Sequence, residues 1–145
     1  MSTQLDNMYR DLILDHYEHP RNCHELDNAN GTEEGFNPLC GDHVDIKFEQ
    51  KDGKIIDISV CTKGCAICTA SGSIMSGILK GLPVEETEKL VTEVKAYLKG
   101  ERDVKISNWP ETLQALSGVR KFPIRIKCAL LPWTTAELAL KRSDG

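Results

Sequence analysis

Cys40, Cys65 and Cys128 stand at places where the backbone is expected to be irregular, and Asp42 follows Cys40 by two residues. Cys40 lies in Asn37-Pro38-Leu39-Cys40-Gly41-Asp42, just before a run that reads as a strand. Cys65 follows Gly64 at the expected start of a helix, and Cys128 sits near the start of the last helix. Helix N-termini offer free N–H groups and a positive dipole end, both of which favour a thiolate. In an extended stretch Asp42 points to the same side as Cys40. Three thiolates and a carboxylate suit a tetrahedral zinc ion, or one end of an iron–sulfur cluster. Spacing alone leaves open a second reading, in which the cysteines are core residues.

The other cysteines lack that pattern. Cys61, Cys65 and Cys68 have the three-then-two spacing of radical-SAM cluster sites, but that chemistry needs a barrel of more than about 200 residues. Cys65 and Cys68 form a Cys-x-x-Cys pair without the preceding βαβ unit of a thiol oxidoreductase. Cys61 and Cys68 read as packing residues and Cys23 as a loop thiol. The histidines, at 16, 19, 24 and 43, have no ligand spacing with the cysteines. His16 is expected to pack on the first helix, and a strand aims His43 away from Asp42.

The elements that must position these residues follow from periodicity. Leu5, Met8, Tyr9, Leu12, Ile13 and Tyr17 recur at helical spacing, and Pro20 ends that helix. Residues 23–39 are polar and read as loop. Val44, Ile46 and Phe48 alternate with charged residues, and Ile56, Ile58 and Val60 alternate with Asp57 and Ser59; a Gly-bearing turn at 51–54 joins the two runs into an antiparallel hairpin. A helix is expected from Ala66 to about Lys80, and another from Pro83 to Gly100 with Val91, Val94 and Leu98 on one face. A short helix follows near 111–116. The last helix runs from somewhere after Pro123 to about Lys141, with Ala129, Leu130, Trp133, Ala136 and Leu140 on its buried face; either it starts near Pro132 or Pro132 bends its first turns. Strands early and helices late indicate an α+β fold.

The 145 residues fit one domain spanning 1–145, long enough to build a core. Forty percent apolar and 28% charged residues describe a globular chain, and no apolar run approaches the roughly 20 residues of a membrane helix. No signal-peptide pattern opens the sequence, so a cytoplasmic location is expected, where thiols stay reduced and disulfides are not expected. A net charge of −4 argues against nucleic acid as partner. The local basic stretch Arg120, Lys121, Arg125 and Lys127 reads as a solvated face or as a surface steering anions to a neighbouring site.

The segments Tyr9-Arg10 through Asp15-His16-Tyr17, Pro20-Arg21-Asn22, Asn37 to Asp42, Gly64-Cys65-Ala66-Ile67 with Ala70-Ser71, Gly118-Val119 to Phe122-Pro123, and Arg125-Ile126-Lys127-Cys128-Ala129 span nearly the whole chain. Together they resemble the U-type iron–sulfur scaffold family, and within it the SufU branch rather than the IscU branch. The resemblance implies an α+β domain with a three-stranded antiparallel sheet and helices packed on one face. It also implies that Cys40, Asp42, Cys65 and Cys128 form one metal site, and that the partners are a cysteine desulfurase and downstream iron–sulfur assembly or acceptor proteins. SufU-type members hold zinc and pass sulfur onward; IscU-type members assemble a [2Fe-2S] cluster, so transient iron or cluster binding is the alternative.

Two departures favour the SufU branch. The IscU branch places a histidine before the last cysteine, where this chain has Lys127, and its Leu-Pro-Pro-Val-Lys segment is here Phe122-Pro123-Ile124-Arg125-Ile126. A lysine ammonium has no lone pair for iron; Lys127 is better suited to attract a persulfide or carboxylate. Cys40, on a Gly-flanked loop, is the expected sulfur acceptor, while Cys65 and Cys128 at helix starts keep holding the metal.

Overall fold

The computed structural model describes residues 3–101 and 104–141. Helix α1 (Thr3–Glu18) opens the chain. Three strands follow, β1 (Gly31–Asn37), β2 (Asp42–Lys51) and β3 (Lys54–Lys63), paired antiparallel in the order β1-β2-β3. Helices α2 (Ala66–Leu79), α3 (Val84–Lys99), α4 (Glu111–Gln114) and α5 (Pro123–Lys141) complete the chain, with 3-10 turns at Ile106–Asn108 and Ala115–Lys121. This is the expected α+β arrangement, with α2 and α5 on one face of the sheet. Among the described residues no helix is long and apolar enough to cross a membrane.

Alternation explains the β2–β3 hairpin. Val44, Ile46 and Phe48 are fully buried, as is Ile58 across from Phe48, while Asp45, Lys47 and Glu49 take the opposite face. Ile56, expected inward with Ile58, is exposed and Ile55 is buried instead, because the register shifts at Glu49/Gln50 and leaves Ile56 without a partner. The turn residues Asp52 and Gly53 both have positive φ, 53° and 76°. Two such residues give the primed turn whose twist matches the strands.

The strand β1 lies inside the stretch expected to be loop. Its sequence, Gly-Thr-Glu-Glu-Gly-Phe-Asn, has no apolar alternation. The reason is the helix above it: a Cβ on Gly35 would run into Thr135 Oγ1 and approach Leu131 at 3.2 Å. Close passage of α5 thus demands a small residue where an inward apolar one would normally advertise a strand.

Small residues do the same work in α2. A Cβ on Gly72 would sit 3.1 Å from both Thr62 and Val60, so α2 lies tightly on β3. Its buried hydroxyls are satisfied: Ser71 Oγ donates to the Ala129 carbonyl at 2.7 Å and accepts from Trp133 Nε1 at 3.0 Å, tying α2 to α5. Helix α5 continues through Pro132, which has no N–H to offer the carbonyl of Cys128 four residues earlier. On α1, Ile13 and His16 are buried, whereas Tyr17 is exposed and the Leu5 side chain lies outside the described residues. Helix α3 ends as expected at Gly100, in the left-handed region at φ 72°.

Cys23 and Cys61 are joined in a disulfide with Cα atoms 4.9 Å apart. This corrects the expectation of six reduced thiols, with Cys23 in a loop and Cys61 as packing. After Pro20 the chain turns back along the free edge of β3, where Val60 N–H donates to the Asn22 carbonyl at 2.8 Å. That course puts the two sulfurs side by side.

Candidate metal centre

The β1–β2 hairpin builds half of the site. Asn37 and Asp42 pair as the last register position of the two strands, so residues 38–41 form a tight connection. Cys40 N–H donates to the Asn37 carbonyl at 3.3 Å, and Gly41 takes φ 69°, which reverses the chain after Cys40. Cys40 is therefore half-buried on a turn, while Asp42, at the head of β2, is fully buried.

Helix starts supply the other thiols. Cys65 is the N-cap of α2, and its sulfur accepts from Cys68 N–H at 3.4 Å. Its own N–H donates to Asp42 Oδ1 at 2.8 Å. Gly64 makes this contact possible: it holds φ 151°, and a Cβ there would collide with Asp42 Oδ1 and lie 2.8 Å from Asp42 Cα. Cys128, on the second turn of α5, is buried and places its sulfur 3.4 Å from that of Cys40.

Three donors converge. One ligand atom each from Cys40, Asp42 and Cys128 lie within 4.8 Å of one another. Asn37 orients two of them, its Nδ2 reaching Asp42 Oδ2 at 3.4 Å and Cys128 Sγ at 3.8 Å. Cys65 is adjacent, joined to the group through the Asp42 bond and through its contact with the Cys128 thiol, while its sulfur also accepts from Cys68 N–H. Two thiols and a carboxylate at this separation are a fitting donor set for zinc or another thiophilic ion. Burial first, and then hydrogen bonding to Asp42, Cys40 and Cys65, pushes the Cys128 thiol far above the ordinary cysteine range. A cation at the site would reverse that preference, since a coordinated thiol is deprotonated.

Two contributors carry no signal of their own in the sequence, Asn37 and Gly64, which stand out there only as neighbours of cysteines. Arg125 belongs to the basic stretch, and the contact with Cys128, followed by the charges of Cys65 and Cys128, holds its guanidinium more firmly protonated than usual. Lys127 is exposed. Cys68 is fully buried, as expected of a packing residue; burial, then the charges of Asp42, Cys65 and Cys40, pushes its thiol strongly upward. His43 points to the other face of the sheet, against Phe36 and 3.7 Å from Glu34.

The surroundings are apolar and basic. Leu39, directly before Cys40, and Phe122 and Ile124, at the start of the helix that carries Cys128, are exposed. A groove of about 470 Å³ runs between α1, the start of α2 and the start of α5, lined by Tyr9, Ile13, Ile67, Phe122, Arg10 and Arg125 among others.

Comparison with known proteins identifies the family of the chain. The family model described as NifU-like N terminal domain matches residues 8–129. The chain is 35% identical over 146 residues to the zinc-dependent sulfurtransferase SufU of Bacillus subtilis, covering 99% of this chain and 97% of that one. It is 33% identical to the iron–sulfur cluster assembly scaffold protein IscU of Streptococcus pyogenes, over 97% of this chain and 87% of that one. In structure it is similar to a putative iron–sulfur cluster assembly scaffold protein for the SUF system from Fervidobacterium islandicum, with TM-score 0.83 and 29% identity, covering 96% of this chain and 99% of the other.

Proposed function

Because the chain belongs to the NifU-like N-terminal domain family, we propose that it serves iron–sulfur cluster assembly as a zinc-dependent sulfurtransferase, taking sulfane sulfur from a cysteine desulfurase onto Cys40 and passing it to an assembly or acceptor protein. The observation that supports this reading most is the convergence of Cys40, Asp42 and Cys128 within 4.8 Å beside a half-exposed turn. Near full-length similarity to a protein named as a zinc-dependent sulfurtransferase favours the same chemistry.

Cys40, Asp42 and Cys128 would hold the zinc, with Cys65 as fourth donor; the ion supplies the charge that keeps buried thiols deprotonated. The remaining steps belong to the chain. Cys40 Sγ, as thiolate, attacks the outer sulfur of the desulfurase persulfide. A bond forms between the two sulfurs, the donor's S–S bond breaks, and the desulfurase cysteine leaves as a thiolate. Cys40 then carries the persulfide, and an acceptor thiolate removes its outer sulfur by the same exchange. The turn at 37–41 lets Cys40 reach outward. Cys128, buried on a helix, stays in place. Arg125 draws the anionic persulfide toward the thiols, and the exposed Leu39, Phe122 and Ile124 give the desulfurase an apolar surface to cover.

The test is persulfide mapping by mass spectrometry after incubation with a desulfurase and L-cysteine, together with zinc analysis. One added sulfur on Cys40 and one zinc per chain are expected, with both the sulfur and desulfurase stimulation lost in Cys40→Ser. Persulfide on Cys128 alone would overturn the assignment to Cys40. A second reading rests on the Streptococcus relative, named as a scaffold: there the site assembles a [2Fe-2S] cluster as cargo. A stable cluster on anaerobically purified protein, without stimulation of the desulfurase, would select it.

A further inference from the structure

We infer that the Cys23–Cys61 disulfide is a redox modification site, opened by a dithiol reductant, that locks a cover over the free edge of β3 on the side of the sheet away from the metal centre. In the sheet order β1-β2-β3, the strand β3 has a partner on one side alone. Near the start of β3 the other edge is bonded to the segment after α2, with Gly81 N–H donating to the Ile55 carbonyl at 2.7 Å and Ile55 N–H to the Leu82 carbonyl at 2.9 Å; around Val60 it is covered by the segment after α1. Val60 N–H donates to the Asn22 carbonyl at 2.8 Å; Ser59 Oγ donates to the His24 carbonyl at 2.6 Å and lies 3.2 Å from His24 N, which donates to it. Asn22 itself sits at φ 59°, a left-handed conformation that a non-glycine residue adopts at a cost. The start of the strip is tied to α2, with Arg21 N–H donating to Ser73 Oγ at 2.9 Å and Asn22 Nδ2 to Ser76 Oγ at 3.0 Å, and the disulfide fastens the part that lies along β3.

The sulfurs are placed for exchange. Cys23 is exposed and Cys61 half-buried, and both line an open cavity of about 330 Å³ with Asp45, Lys47 and Ser59. Exposure of one sulfur and shielding of the other direct the attack. A thiolate of the dithiol attacks Cys23 Sγ, the bond to Cys61 breaks, and Cys61 leaves as a thiolate that takes up a proton. The reductant's second thiol then attacks its own sulfur in the mixed disulfide, releasing Cys23 and closing a cyclic disulfide. Two electrons pass from the dithiol to the cysteine pair, and the reductant is oxidised. The sulfur-handling thiols take no part, since Cys61 alternates with the inward Val60 and Thr62 and so faces the other side of the sheet. Opening the bond leaves an uncovered strand edge, a template for pairing with another chain.

Hydrogen exchange on the zinc-loaded protein, with and without dithiothreitol, tests this, with alkylation mapping to report the cysteine states. Cys23 and Cys61 are expected to resist iodoacetamide until dithiothreitol is added. Reduction should then speed exchange of the Val60 amide and of residues 21–25 by about tenfold or more, with the β2–β3 amides unchanged. The double variant C23S/C61S should exchange like the reduced protein whether or not dithiothreitol is present. Full alkylation of both cysteines in protein never exposed to reductant would overturn the disulfide. Unchanged exchange at Val60 in both the reduced protein and the double variant would overturn its role as a lock.

Discussion

The backbone N–H of Cys65 donates to Asp42 Oδ1 across 2.8 Å, so the first residue of β2 and the cap of α2 are fixed by the same carboxylate that faces Cys40 and Cys128. Asp42 therefore does two things at once. One oxygen orders a helix start, and the other side of the group, held by Asn37, is available to a cation.

Those two roles separate by mutation. Asp42→Ala removes both and leaves the Cys65 N–H without its acceptor, which should cost about 1–3 kcal/mol even in metal-free protein. Asp42→Asn keeps an acceptor oxygen for Cys65 but loses the charge, so metal-free stability should fall less while zinc affinity falls as in the alanine variant. Denaturant unfolding in chelator, with zinc analysis of both proteins, checks the split. Equal metal-free stabilities for the two variants would show that the Cys65 bond contributes nothing.

Gly64 offers a second route to the same contact. Its φ of 151° is poorly tolerated with a side chain, and a Cβ would occupy the space of the Asp42 carboxylate. Gly64→Ala should destabilise by about 1–3 kcal/mol through overpacking and reduce zinc content, although no ligand is changed. Gly41→Ala is the control: its φ is also positive, but a Cβ there meets nothing within 4 Å. Melting temperatures and zinc per chain, measured side by side, should show Gly64→Ala as the more damaging substitution for zinc.

A pH effect should arise far from the site, at His16. Burial, then the Arg21 guanidinium, lowers its pKa below 6.5, against a smaller raising effect from Asp15. The ring lies 2.8 Å from Ser73 Oγ, which also accepts from Arg21 N–H. With the folded pKa below the unfolded one, the unfolded chain protonates first as pH falls. Stability is thus highest above about pH 6.5 and declines below it, by at most about 1.4 kcal/mol per pH unit for one proton. His16→Gln should flatten that slope between pH 7 and 5. An unchanged slope in urea titrations would assign the acid sensitivity to another group.

The hairpin, the caps and the order of elements were legible because alternation, glycine and proline act over a few residues. Val44, Ile46 and Phe48 point inward as their spacing says. What escaped depends on contacts between distant segments. The strand β1 hides its inward positions as glycine because α5 crosses there, and the Cys23–Cys61 bond depends on a backbone course that no local pattern encodes. The cysteine set was marked by helix starts and a turn, whereas the roles of Asn37 and Gly64 exist only once β1, β2 and α2 meet.

The last prediction concerns the two cations near the final cysteine. The family resemblance draws attention to Lys127, directly before Cys128. Both side chains are exposed, and Arg125 is the one whose guanidinium is held more firmly protonated by contact with Cys128. If attraction of an anionic persulfide is local, the nearer charge should dominate, and its effect should weaken as salt screens it. Arg125→Ala is expected to slow sulfur transfer from a desulfurase by about tenfold at low salt and to flatten its salt dependence, while zinc content stays at the wild-type level. Lys127→Ala should change the rate little. Lys127→His should also keep transfer competent but supply a lone pair beside Cys128, and so lengthen the lifetime of any iron–sulfur cluster formed anaerobically. Transfer rates across a salt series for the three variants check the order. A larger loss in Lys127→Ala than in Arg125→Ala would return the steering role to Lys127.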